Sequence, residues 1–179
     1  MKRKILAILI VTITALPSFG QVAKGDVTGL LTGSITGTFG SDFNTTTGLI
    51  TYRTGGFVTN NLEVGVNFNM TISSFPDFAN PGESTVESTL GMGGYATYNI
   101  LLKNGKTVPY IGTQLYVPDV GGDPIIFTLG INGGVKHFLS ELMYLDAGLN
   151  VLYNLSDVPG GTVLFQVGFG IIFPKKFEE

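Results

Sequence analysis

The sequence predicts an all-β protein, an eight-stranded antiparallel up-and-down transmembrane β-barrel. Three observations predict it. Apolar and polar residues alternate with period two in one segment after another, which is typical of strands with two unlike faces. The connections between these segments are short and long in turn. The polar face is rich in Gly, Thr and Asn and poor in charge, which favours a barrel interior over a solvated surface.

Residues 1–20 are predicted to be a secretory signal peptide and not part of the fold. Three basic residues precede an apolar run over 5–16, and small residues precede a cleavage site before Gln21, as such a peptide requires. The alternative is an N-terminal membrane anchor. Residues 21–179 are predicted to form a single barrel domain, and no later segment is long and apolar enough for a transmembrane helix.

The first four strands all show the alternation. They are predicted over 26–39, 48–58, 62–72 and 84–100. In the third, Leu62, Val64 and Val66 share one parity with the apolar residues up to Ile72, without a break. In the fourth, Leu90 and Met92 oppose glycine and threonine. These four segments therefore predict two hairpins.

The last four strands repeat the pattern. They are predicted over 108–117, 125–138, 143–153 and 162–173. Three connections are predicted to be tight turns, at 59–61, 103–106 and 139–142. The other four are mostly longer and rich in Gly, Pro, Ser and Asp, at 40–47, 73–83, 118–124 and 154–161. This rhythm predicts a meander with both termini on the short-turn rim.

Five isolated charges lie on the polar parity of five different strands. They are Arg53, Glu63, Glu87, Lys136 and Asp146. If this parity faces the lumen, the charges are expected to form a buried ion-pair network, since a lone buried charge costs several kcal/mol. The alternative is a proton or ion pathway. An eight-stranded interior is just wide enough for side chains to fill, so a wide pore is not expected. A soluble secreted barrel of lipocalin type is the alternative fold.

Composition excludes several classes of site. The chain has no cysteine and a single histidine, His137, so neither a disulfide framework nor a multi-histidine metal site is possible. Without the basic residues of the leader, seven basic residues remain against 13 acidic ones, a net charge of −6. An acidic protein is a poor candidate for nucleic-acid binding. No cofactor is expected.

Three stretches resemble the small outer-membrane β-barrels of the OmpA/OmpX-like superfamily. They are "YRTGGFVTNNLEVGVNFNM" (52–70), "GGVKHFLSELMYLDAGLNVLY" (133–153) and "VLFQVGFGIIF" (163–173). The resemblance implies a bacterial outer-membrane protein with both termini in the periplasm and lipopolysaccharide around it. It also implies that the insertion machinery recognises the closing strand, 162–173, with Phe173 or Phe177 as the terminal aromatic. A monomer is expected.

The chain departs from that family in lacking tryptophan. The aromatic belts at the membrane interfaces must then use other residues. Those predicted for this role are Phe39, Tyr98, Phe127 and Tyr153.

The expected function is a structural or surface-interaction role without catalysis. The first alternative is a narrow channel or carrier for small or hydrophobic molecules, as in OmpW-like barrels. A less favoured alternative is an enzyme that modifies lipids of the outer leaflet. An enzyme needs a nucleophile and a base, and the only histidine, His137, lies beside the turn that holds Ser140, on the rim expected in the periplasm.

The four longer connections carry acids and no lysine or arginine. The acids are Asp42, Asp77, Glu83, Asp119, Asp123 and Asp157. Carboxylate oxygens are ligands for Ca²⁺ and Mg²⁺, so shared cation binding is predicted at this rim, with Asp119 and Asp123 as the ligands. Plain solvation of acidic turns is the alternative. Phe75 and Phe78 add an apolar tip that could contact a protein.

Overall fold

The barrel described here comes from a computed structural model that describes residues 22–39, 44–77, 83–102, 106–155 and 160–175. Within these ranges the chain forms a closed barrel in which every strand is antiparallel to its neighbours and the last strand pairs with the first. The strands are β1 (Val27–Phe39), β2 (Asn44–Phe57), β3 (Leu62–Pro76), β4 (Ser84–Asn99), β5 (Thr107–Val117), β6 (Thr128–Phe138), β7 (Met143–Asn154) and β8 (Gly161–Phe173). The predicted fold class is confirmed. The predicted signal peptide lies outside the described residues.

The two ends of the barrel differ in their connections. At one end, which we call the turn end, the connections span 58–61, 100–106 and 139–142. At the other, the loop end, they span 40–43, 77–83, 118–127 and 155–160. The segments before β1 and after β8 meet at the turn end, where the Lys175 backbone N–H donates to Asp26 Oδ1 at 3.2 Å. No helix in the described ranges is long and apolar enough to cross a membrane.

Two hairpins reach further than the sequence predicted. β2 begins at Asn44, and its ladder with β1 continues to the pair Phe39 and Asn44. The expectation of a loop over 40–47 is therefore wrong, because Thr45, Thr46 and Thr47 are β-branched and fit a paired strand. In the same way β3 runs on to Pro76, where the predicted strand ended at Ile72.

The apolar face of the strands points outward. Along β8, Phe165 and Val167 are 61% and 53% exposed, whereas Leu164 and Gln166, which alternate with them, are buried. The four predicted lumen charges Arg53, Glu63, Lys136 and Asp146 are buried. Among the predicted belt aromatics, Tyr98, Phe127 and Tyr153 are exposed, and the side chain of Phe39 lies outside the described part of the chain.

Candidate functional site

An ion pair crosses the lumen near the turn end. Lys136 on β6 and Glu63 on β3 both have the inward parity, and Lys136 Nζ lies 2.7 Å from Glu63 Oε2. The other carboxylate oxygen, Oε1, accepts hydrogen bonds from Thr28 Oγ1 and from the Tyr95 hydroxyl, each at 2.7 Å. Both charges are thus paired and hydrogen-bonded, which is the condition for a stable buried ion pair.

Aromatic rings surround the Lys136 ammonium. Its Nζ lies 5.9, 5.5 and 5.4 Å from the ring centroids of Phe57, Tyr110 and Tyr144. Negative ring faces attract a cation at such distances, and more strongly where water is excluded. These rings therefore hold Lys136 in place together with Glu63.

Asp146 is the strand neighbour of Lys136 in the β6–β7 register, yet Lys136 pairs with Glu63. Asp146 Oδ1 accepts a hydrogen bond from the Tyr110 hydroxyl at 3.0 Å. Its second oxygen, Oδ2, is buried without a hydrogen-bond partner among the described residues. Asp146 is thus held less completely than Glu63.

Among the described residues, Arg53 bonds to an amide and not to a carboxylate. Its Nη2 donates to Gln114 Oε1 at 2.7 Å, and the same oxygen accepts from Asn67 Nδ2 at 3.1 Å. The guanidinium carbon lies 5.1 Å from the centroid of the Tyr95 ring. Gln114, which the sequence analysis did not single out, is therefore the main partner of Arg53.

Glu87 does not join this network, which corrects the prediction for that residue. It has the inward parity but is exposed. The ladder between β4 and β5 begins only at Met92 and Val117, and beyond it the Leu90 carbonyl accepts from the Val120 backbone N–H, so β4 from Ser84 to Thr89 pairs with β3 alone. Glu87 lies on this extension, where no β5 residue faces it to close a lumen.

Apolar side chains close both ends of the lumen around the polar layer. The cluster at the turn end consists of Val22, Leu30, Phe57, Val108, Phe138, Tyr144 and Ile172. The smaller cluster at the loop end consists of Tyr116, Leu152 and Leu164, with Leu49 packed against it. Side chains thus fill the interior, as the strand number allows.

The predicted cation loop uses one carboxylate for its own turn. Asp119 Oδ1 accepts from the Gly121 backbone N–H at 2.9 Å, which is an Asx-turn. Asp123 is exposed. Among the described residues no three His, Cys, Asp or Glu side chains are grouped so as to hold a metal ion, and Asp42 and Asp157 lie outside those residues.

His137 and Ser140 each have a local partner. His137 Nδ1 lies 2.9 Å from Thr107 Oγ1, on the outward face of the β5–β6 ladder. Ser140 Oγ accepts from the Leu142 backbone N–H at 3.3 Å within its own turn. Each of these side chains is therefore bonded to a neighbour close by, and neither bond indicates a catalytic role.

The predicted barrel implied a seam between β1 and β8, but its register and length were not predicted. Its ladder has seven residue pairs, from Val27 and Phe173 to Gly33 and Val167. Beyond Gly33, β1 continues only in its ladder with β2. An outward groove of about 580 Å³ opens at this point. Its lining is Gly33, Ser34, Ile35, Gly48, Leu49, Ile50, Ile72, Phe165 and Val167.

Sequence alone had one signal for this seam. Gly33 and Gly48 both fall on the outward parity, where the neighbouring positions carry large apolar side chains. Small residues on such a face can mark a depression. Which strand would border it depends on the closing register, and a sequence does not contain that information.

Comparison with solved structures supports the fold. The N-terminal β-barrel domain of OprF from Pseudomonas aeruginosa superposes with a TM-score of 0.57 at 16% identity, over 84% of this chain and 98% of that one. The outer membrane enzyme PagL matches with a TM-score of 0.40 at 12% identity, over 82% of this chain and 98% of that one. No protein-family model matches the chain, and no curated protein matches it. The predicted resemblance to small eight-stranded outer-membrane barrels is confirmed at the level of the fold.

Proposed function

We propose that the protein is an integral barrel of the bacterial outer membrane with a structural and surface-interaction role and without catalysis. The observation that supports this most is the reversal of its two faces. Large apolar residues such as Ile35, Leu90 and Val163 are 81%, 62% and 63% exposed, while four charged residues of the inward parity, Arg53, Glu63, Lys136 and Asp146, are buried. On a soluble protein this would be an apolar surface far larger than is usual.

A bilayer explains that surface. Lipid cannot satisfy backbone N–H and C=O groups, so only helices and closed barrels span it. The chain closes its sheet through the β1–β8 ladder, and its strands of 11 to 16 residues are long enough to cross a bilayer when tilted. We place the turn end, with both chain ends, in the periplasm.

The packed lumen argues for a structural role. Two apolar clusters and the Lys136–Glu63 layer between them leave no wide passage along the axis. In contrast, the β3–β4 hairpin continues beyond the point where β5 stops pairing. That extension and the loops beside it would meet lipopolysaccharide or another surface partner.

The closing strand, β8, has the pattern expected of a strand that the insertion machinery recognises. β8 alternates outward Val163, Phe165, Val167, Phe169, Ile171 and Phe173 with an inward row. Phe173 ends the strand and is exposed, so we propose that the insertion machinery recognises this strand. We expect a monomer, because the β1–β8 ladder closes the sheet and the unpaired edges beyond it, at the loop end, are short.

The experiment is fractionation of cells that express the full chain, with gels run before and after boiling. We expect the protein in the outer-membrane fraction and a shift in migration on boiling. Recovery without detergent would contradict the proposal. In planar bilayers the purified protein should show no large steady conductance, and the Phe138→Ala, Tyr144→Ala double variant, which empties part of the turn-end cluster, should leak more than the parent.

A second candidate function is a carrier for small hydrophobic molecules. The observation that favours it is the outward groove at the β1–β8 seam, because such a carrier needs a lateral site that faces the membrane. It does not need an open axial pore.

A further inference from the structure

We propose that the groove at the β1–β8 seam binds one single-chain amphiphile of the fatty-acid class. The proposal rests on the membrane location proposed above and deepens the carrier function. It is carried by the shape, lining and depth of the groove and by the unpaired polar groups at its edge.

The groove has a floor of two glycines. Among the described residues, no heavy atom lies within 4 Å of the place where a Cβ on Gly33 would lie, and a Cβ on Gly48 would meet only the Ile72 carbonyl oxygen, at 4.0 Å. Both glycines therefore border open space. In this they differ from Gly65 and Gly93, where a Cβ would collide with the backbone.

The walls are apolar and belong to the lipid-facing side. Ile35, Ile50 and Ile72 have the outward parity of β1, β2 and β3, and Phe165 and Val167 have that of β8. A volume of about 580 Å³ falls within the range of ~300–1,000 Å³ that is usual for small-ligand sites. Walls of this chemistry and extent suit one flexible hydrocarbon chain.

The position of the groove along the membrane normal favours a membrane amphiphile as its ligand. The paired part of the seam spans seven residues from the turn end. At ~3.3 Å per residue and a tilt of ~40°, it covers roughly 18 Å of the ~25 Å apolar band of such barrels. The groove thus begins past the midplane toward the loop end, close to the headgroups on that side.

The edge of the groove offers polar partners. β1 from Ser34 to Phe39 and β8 from Gly161 to Gln166 have no ladder with each other, so backbone groups on these facing edges lack the partners that a closed seam provides. These backbone groups, and not the buried, inward-pointing side chain of Ser34, are the polar groups at the edge of the groove. A carboxylate or hydroxyl on the chain would satisfy such groups, whereas a plain alkane would not.

The absence of tryptophan from the chain permits a clean fluorescence test. The Phe165→Trp variant places a reporter in the groove. The Phe169→Trp variant is its matched control, because Phe169 lies on the same outward face of β8 within the paired seam, opposite Leu31. Each variant is inserted into vesicles of unbrominated phospholipid and titrated with a brominated fatty acid.

For the Phe165→Trp variant we expect quenching that saturates at low mole fraction and is at least threefold stronger than in the control. Quenching of the Phe169→Trp variant should rise linearly, as for simple partitioning. Adding Gly33→Leu to the Phe165→Trp variant should remove the saturable part, and Gly48→Leu serves the same purpose if the first variant folds poorly. Gly133→Leu, on the outward face of β6 where a Cβ would make an ordinary 3.5 Å contact, should leave it intact.

Equal, linear quenching of both reporters in a barrel that still shifts on boiling would overturn the groove site and leave the proposed function standing. A brominated phospholipid that reproduces the same saturable curve would show an ordinary lipid contact and would also overturn it. Failure of the parent to insert into vesicles would overturn both proposals together.

Discussion

Lys136 and Glu63 show how single residues set the interior of this barrel. They lie on different strands, and Lys136 Nζ is 2.7 Å from Glu63 Oε2. Each also has further partners: three aromatic rings surround the ammonium, and two hydroxyls donate to the carboxylate. Desolvation of two charges opposes folding, so the pair stabilises the barrel only because both ends are satisfied. The removal of one partner should therefore be worse than the removal of both.

For this pair we expect Glu63→Gln and Lys136→Met to lower the free energy of unfolding by ~3–5 kcal/mol each, because either leaves a buried charge unpaired. The double variant should lose much less than the sum. The measurement is urea unfolding in detergent for the four proteins of the cycle. Glu87→Gln is the control, because Glu87 is exposed and its replacement should stay within ~0.5 kcal/mol. Additive losses in the double variant would contradict the pairing.

Gly170 is the residue that makes room for Tyr144. A Cβ at Gly170 would collide with the ring of Tyr144, which is 1% exposed and packs against Phe138. We expect Gly170→Ala to lower the free energy of unfolding by about 1–3 kcal/mol, the usual range for overpacking. Gly160→Ala, where a Cβ meets no atom of the described residues within 4 Å, should be close to neutral. If both variants unfold at the same urea concentration as the parent, this packing argument is wrong.

At the scale of elements, the ladders of the barrel are unequal. β3 and β4 pair over 15 residues and β2 and β3 over 12, whereas β1 and β8 pair over seven and β4 and β5 over eight. The short ladders border the long hairpin extensions and the outward groove. The loop-end half of the barrel is therefore its less closed half, and local opening should begin where pairing is missing.

Hydrogen exchange should show this inequality. On the loop-end side of the seam, β8 from Gly161 to Gln166 pairs only with β7. From Val167 to Phe173, most of the strand pairs with both β7 and β1. We expect amides of the first part that face the seam to exchange at least tenfold faster than those of the second part. Matched positions on β2, which pairs with both neighbours from Thr46 to Gly56, are the control. Uniform protection along β8 would argue against an open seam.

At the scale of the whole molecule, the barrel has two chemically distinct ends. At the turn end, Lys175 bonds to Asp26 and the larger apolar cluster fills the lumen. The loop end carries the extended hairpin and the smaller cluster. The proposed orientation, with the loop end outside the cell, follows from this difference between the ends.

The chain has no cysteine, so single cysteines can test this orientation. We expect Glu87→Cys, on the exposed hairpin extension, to react with a membrane-impermeant maleimide on intact cells. Ser140→Cys, in a turn-end connection, should react only after the outer membrane is permeabilised. Labelling in the opposite order would place the chain ends outside and overturn the orientation.

Sequence by itself determined the strand number, the up-and-down order and which face of each strand looks inward. A period of two assigns every residue of a strand to one of two faces, and the scarcity of charge on the polar face indicated a lumen. The burial of Arg53, Glu63, Lys136 and Asp146 follows from that parity alone. Parity could not tell that Glu87 lies beyond the lumen, because it does not say how far the neighbouring strand extends.

Only the tertiary structure decided the partners and the seam. Glu63 and Lys136 are 73 residues apart in sequence, and which lumen charges meet depends on the stagger of the strands around the closed barrel. The same stagger sets the register in which β8 meets β1, and so the length of the seam and the groove beyond Gly33. Closure is a property of all eight strands together, and no local pattern in the sequence encodes it.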